Sequence, residues 1–164
     1  MFGLADISSA VCRLWDGANL DDVFTAFWDA DNVGAFPVLN EQQATPSSPF
    51  PYMIFEINTG RVITRMSGAG RTKYAIQEYP FEFRIHARYT SNDTRSPKEI
   101  AAYLAGEVMA VYGGHPTIEP QEMLLDTGSV VLVQHVSDFG ARTGENEYQW
   151  KLNYLAKIDV PFKV

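Results

Sequence analysis

The sequence predicts an α+β fold. The expected form is a two-layer sandwich: a mostly antiparallel sheet of about five strands, with one long helix and short N-terminal helices packed on one face. Three observations predict it. The stretch YPFEFRIHARYT, Tyr79 to Thr90, puts Phe81, Phe83, Ile85, Ala87 and Tyr89 on one side and Glu82, Arg84, His86, Arg88 and Thr90 on the other. Successive side chains of a strand point to opposite faces, so this strand has one core face. The stretch from Tyr148 to Phe162 alternates in the same way, with Trp150, Leu152, Tyr154, Ala156 and Ile158 on one side. Between them, Ser96 to Gly114 reads as a capped amphipathic helix, whose apolar stripe needs the apolar face of those strands as a partner.

The elements follow in order. Ile7, Val11 and Leu14 stand at helical spacing, with Asp6 as the expected N-cap. After Gly17, Asn19 offers a cap, Asp21 and Asp22 suit a first turn, and Val23, Phe24, Phe27 and Trp28 form an apolar stripe. Gly34 to Pro51 carries four prolines and little periodicity, and reads as a long loop. Pro51 to Ile57 is a strand, Asn58 to Gly60 a turn signal, and Arg61 to Met66 a second strand. Ser67 to Ala75 is glycine-rich and reads as a hairpin tip before the strand Gln77 to Thr90. In the main helix Ser96 is the N-cap, Pro97 the first helical residue and Glu99 the capping-box partner, while Ile100, Leu104, Val108 and Val111 line one face. Gly106 inside it implies a close packing approach, and Gly113 and Gly114 stop it. Gly128 to Asp138 is apolar on both faces in its first half, as in a central strand, and Phe139 to Glu147 reads as a polar turn. No repeat or composition shift divides the chain, so one domain spans 1-164.

The 164 residues include 46% apolar and 13% aromatic residues, which is a folded composition. Thirteen basic residues face twenty acidic ones, for a net charge of −7, the wrong sign for holding nucleic acid by phosphate neutralisation. No stretch approaches the ~18 consecutive apolar residues of a membrane span, and the N-terminus lacks the layout of a signal peptide. No membrane association is expected, and the cytoplasm is the default location. Cys12 is the sole cysteine and falls on an apolar helical stripe, where core packing is its expected role.

Chemistry is sparse. His86 and His135 would share a site if their strands were neighbours, but no HxH, HxxxH or CxxC spacing accompanies them. SGAGR, Ser67 to Arg71, matches neither a phosphate loop nor a dinucleotide fingerprint. No catalytic residue, metal ligand or cofactor is expected.

The order of elements does have a counterpart. Two short helices lead through a proline-rich loop into PFPYMIFEI, with Pro51, Tyr52 and Phe55 forming a P-Y-x-x-F strand opening. A hairpin, the strand QEYPFEFRIHARYT, the capped helix SPKEIAAYLAGEVMAVY and two further strands complete it. This resembles the tail-terminator, or tail-completion, proteins of long-tailed bacteriophages and their relatives among minor capsid and head–tail joining proteins. The resemblance covers most of the chain through element order and short phrases, with no catalytic signature. It implies a non-enzymatic homo-oligomer, commonly a hexameric ring, in the tail or neck of a virion. Such a ring caps the tail tube, meets the head–tail connector or stopper protein, and lets DNA pass through its lumen without specific binding. The net charge of −7 suits that passage. The polar row Glu82, Arg84, His86 and Arg88, with Arg71 and Lys73 near the hairpin tip, is the candidate interface, because charged rows set register in assemblies. A head–tail connector or stopper subunit is the nearest alternative. A small ligand-binding or enzymatic α+β domain using His86 and His135 is the alternative from another class.

Overall fold

The computed structural model describes residues 4–67 and 73–162. It confirms an α+β architecture in which helices lie against one face of a single sheet. The helices are α1 (Leu4–Gly17), α2 (Leu20–Thr25) and α3 (Pro97–Tyr112). The strands are β1 (Leu39–Glu41), β2 (Tyr52–Ile57), β3 (Arg61–Ser67), β4 (Lys73–Arg88), β5 (Met123–Leu124), β6 (Val130–Gly144) and β7 (Glu147–Phe162). The sheet therefore has seven strands among the described residues rather than about five, in the order β1-β2-β4-β7-β6-β5 with β3 also on β4. It is mixed, because β1 runs parallel to β2 and the other pairs are antiparallel.

The spine of the sheet is the antiparallel pair β4 and β7, in register from Lys73 opposite Phe162 to Arg88 opposite Glu147. Their inward residues are the alternating apolar ones. Phe81, Phe83, Ile85, Leu152, Tyr154 and Ala156 are buried against Ile100, Leu104 and Val108 of α3. Trp150 belongs to the same face but is only partly buried, at the rim of this core. Tyr89 departs from the expected pattern. The strand ends at Arg88, and Tyr89 is 61% exposed.

Helix α3 has the predicted start. Ser96 Oγ accepts a hydrogen bond from Glu99 N at 3.3 Å and Glu99 Oε2 accepts one from Ser96 N at 2.8 Å. Its Tyr112 hydroxyl donates to the Val11 carbonyl of α1 at 2.6 Å, tying the two helices together, and Trp15 of α1 lies 5.9 Å from the Phe83 ring. Across the sheet, the Tyr154 hydroxyl donates to the Gly113 carbonyl at 2.8 Å, which anchors the end of α3 to β7.

Several local expectations are corrected. Asp6 lies in the first turn of α1, not before it. Asn19 does precede α2, but in the left-handed conformation and without a side-chain cap, and the short α2 ends before Phe27 and Trp28. Cys12 is half-buried rather than core. A Cβ at Gly106 would meet no atom within 4 Å, so no close approach requires glycine there. The loop from Gly34 to Pro51 contains β1, held by parallel pairing that local sequence does not encode.

Two errors concern turns. Asn58 to Gly60 is not a turn between antiparallel neighbours. β2 pairs with Phe81–His86 and β3 with Lys73–Glu78, so the two strands run end to end along one edge of β4. Gly60 serves a different purpose: a Cβ there would fall 2.4 Å from the Tyr79 ring, so glycine lets that ring lie across the join. Phe139 to Glu147 is not a polar turn either. β6 continues to Gly144 and meets β7 through a two-residue turn at Glu145 and Asn146. A Cβ at Gly140 would sit 2.5 Å from the Tyr148 hydroxyl and 2.7 Å from Trp150, so its absence lets those rings cover the hairpin.

Candidate assembly interface

The face of the sheet turned away from the helices carries the polar row of β4, and β2, β7 and β6 add neighbours to it through their registers. Glu82 sits between Arg84, 3.3 Å away, and Lys151, 2.8 Å away. Arg84 also reaches Glu56 at 3.2 Å. Glu147 takes Arg88 at 2.9 Å and His86 at 3.3 Å. Glu78, buried in the chain, is met by Arg61 at 3.1 Å and Lys157 at 4.0 Å. The row is thus one side of an ion-pair lattice spread over four strands, β2, β3, β4 and β7. Four carboxylates, Glu56, Glu78, Glu82 and Glu147, face five cations, Arg61, Arg84, Arg88, Lys151 and Lys157.

After Glu78, His86 is the most enclosed member, with its side chain 14% exposed. It stacks on Tyr52 at 4.9 Å, Tyr52 packs on Phe50, and the Arg88 guanidinium lies 4.1 Å over the Phe50 ring. Its Nδ1 faces Glu147, while its Nε2 is buried without a hydrogen-bond partner. Burial lowers the His86 pKa, and the Arg84 charge adds to this; the contact with Glu147 opposes it incompletely. Burial alone would raise the Glu147 carboxyl, but hydrogen bonds from Arg88 and His86 outweigh it and hold that carboxyl below its ordinary range.

Of the six candidate residues, Glu82, Arg84, His86 and Arg88 are together on this face. Arg71 lies outside the described residues, and Lys73 opens β4 with its side chain outside them. His86 and His135 do not converge. His86 lies opposite Gln149 on the polar face, while His135 lies opposite Tyr154 on the helix-covered face, its ring resting on Gly114. No group of three or more metal-ligating side chains occurs among the described residues. A hollow of about 480 Å³ beside α1, lined by Ser8, Ser9, Glu41 and Glu56, contains neither histidine.

Sequence reasoning missed a second feature. Nine large hydrophobic residues are exposed among the described residues, and six fall between Ile118 and Phe139, on β6 and the segment before it. Leu132 and Phe139 face the same side as Lys157 and Lys151, and Val136 stands at a bulge. The alternation of apolar residues was visible, but an expected central position for this strand hid its exposure.

No family model matches the chain, and no curated protein does. A solved structure to which it is similar is described as the virion of a native gene transfer agent particle. Identity is 12% over 81% of this chain and 87% of that one, with a TM-score of 0.45. Likeness at that level defines neither family nor function.

Proposed function

We propose that the chain is a structural ring subunit of a tailed-phage tail. In this reading it is the tail terminator, which closes the tube and presents a joining surface to the head connector. It performs no catalysis and needs no cofactor. The observation that carries the reading is the long β5–β6 margin, whose apolar residues point to water in the isolated chain. Contiguous exposed apolar surface on a soluble fold marks a site of association. The element order and the P-Y-x-x-F opening of β2 support the choice of the tail-terminator class. The paired lattice around Glu82, Arg84, His86 and Arg88 supplies an ion-paired face suited to orienting neighbours.

A tube grows by adding identical rings to an open end, an assembly with no internal stop. A terminator fits the last ring on one side and refuses another ring on the other. Particles lacking this chain are therefore expected to yield full heads beside unjoined tails of irregular or excessive length in electron micrographs. Normal-length tails already attached to heads would overturn the reading.

A further inference from the structure

We propose that β6 takes strand β3 of a second copy of this chain along its outer edge, head to tail; this rests on the ring-subunit reading and names its subunit contact. β5 covers only Val130 and Val131, and from Leu132 to Thr143 no backbone hydrogen bond among the described residues reaches the outer side of β6. Such an edge accepts an extended strand, because only a strand matches its alternating donors and acceptors.

Bulges at His135/Ser137 and Arg142/Gly144 bound the edge, but the stretch between them lacks the other devices that keep free strands apart. It has no lysine and no proline, and its two charges are occupied. Asp138 accepts from Trp150 Nε1 at 3.1 Å, and Arg142 donates to the carbonyls of Gly144 and Glu145 at 3.1 and 2.7 Å. Leu132, Val136 and Phe139 are 64%, 53% and 56% exposed beside it.

β3 fits this vacancy on three grounds. Its own outer side is unpaired among the described residues, since β4 is its one strand partner. Arg61 to Ser67 is long enough to cover the stretch from Ser137 to Arg142 between the two bulges of β6. Its direction is also right. β6 runs with β4 and against β3, so a neighbouring copy whose strands keep the same sense, displaced along them to bring β3 level with Ser137–Arg142, meets β6 antiparallel. The same chain already uses this arrangement on β4, where β2 and β3 share one edge end to end. On β6, β5 fills the first positions and the incoming strand takes up where it stops.

A twofold β6–β6 contact would leave β3 vacant and close a dimer, whereas a head-to-tail contact fills both edges and closes as a ring where its rotation completes a circle.

The test is sedimentation and native mass spectrometry of the full chain across a concentration series. Wild type is expected to assemble with rising concentration. Leu132→Lys with Phe139→Lys is expected to keep its melting temperature and raise the assembly midpoint by at least about tenfold. Strand identity is read in a Cys12→Ser background by mixing Ala141→Cys chains with Arg61→Cys chains and adding a short bismaleimide. Cross-linked dimer in the mixture alone supports the proposal. Cross-linking of Ala141→Cys chains with themselves overturns it in favour of a twofold contact. A ring indifferent to the lysines and silent to the cross-linker overturns the β6–β3 contact but leaves the ring-subunit reading standing. A monomer at every concentration overturns both.

Discussion

The two margins of the sheet are finished differently. At the β1 margin, the end strand is three residues long, and the segment around it is fastened to β2. Met53 N donates to the Val38 carbonyl at 2.9 Å, Gln42 N to the Phe55 carbonyl at 3.0 Å, and the Asn40 amide to the Met53 carbonyl at 3.2 Å. Proline at 46 and 49 and the carboxylate of Glu41 complete a margin that resists further pairing. At the β6 margin a fifteen-residue strand has a two-residue neighbour and a row of exposed hydrophobics. Both margins join the same core, so the difference is not one of fold stability. It shows which of the two end strands, β1 or β6, is finished within one chain and which is left open.

The largest expected effect contrasts one phenylalanine from each side. Phe55 on β2 is 1% exposed and Phe139 on β6 is 56% exposed. Phe55→Ala is expected to cost about 3–5 kcal/mol in urea unfolding of the monomer. Phe139→Ala is expected to stay within about 0.5 kcal/mol of wild type. Equal losses would show that the β6 margin is part of the monomer core and end the comparison.

A pH titration sharpens the comparison on the face between the margins. His86 has a folded pKa below its ordinary 6.5, so as pH drops through that value the unfolded chain gains a proton that the folded chain does not. Stability is therefore expected to fall from pH 6.5 down to the folded pKa of His86 and then level. Glu147, whose folded pKa is depressed below 4.5, adds a second loss at lower pH. His86→Gln should remove the upper phase and keep the lower one. Urea midpoints measured across pH would decide, and an unchanged upper phase in the variant would assign it to another group.

The smallest effect is a gain away from both margins. Gly106 sits inside α3 with open space where a Cβ would stand. Gly106→Ala is expected to stabilise the monomer by about 1 kcal/mol, measured by thermal or urea unfolding, with assembly unchanged. A loss of assembly would place α3 in the interface and weaken the assignment of that role to the β6 margin.

Much of this architecture could be read locally. Alternation in Tyr79 to Thr90 and Tyr148 to Phe162, and the Ser96–Pro97–Glu99 start of α3, depend on side-chain periodicity and short-range hydrogen bonds, which travel with the sequence itself. The polar row of β4 was legible for the same reason. Its partners Glu56, Lys151 and Glu147 were not, because cross-strand neighbours depend on register between segments up to 69 residues apart, as between Glu82 and Lys151. The turn signal at Asn58 to Gly60 misled because glycine serves two physical needs, freedom of backbone and room for a neighbour. Only the Tyr79 ring lying over Gly60 distinguishes them. Likewise, a run such as VVLV, Val130 to Val133, states that β6 is apolar but not which edge it occupies. Sheet order is settled by long-range pairing, so it was the tertiary structure that turned an apparently central strand into an open margin.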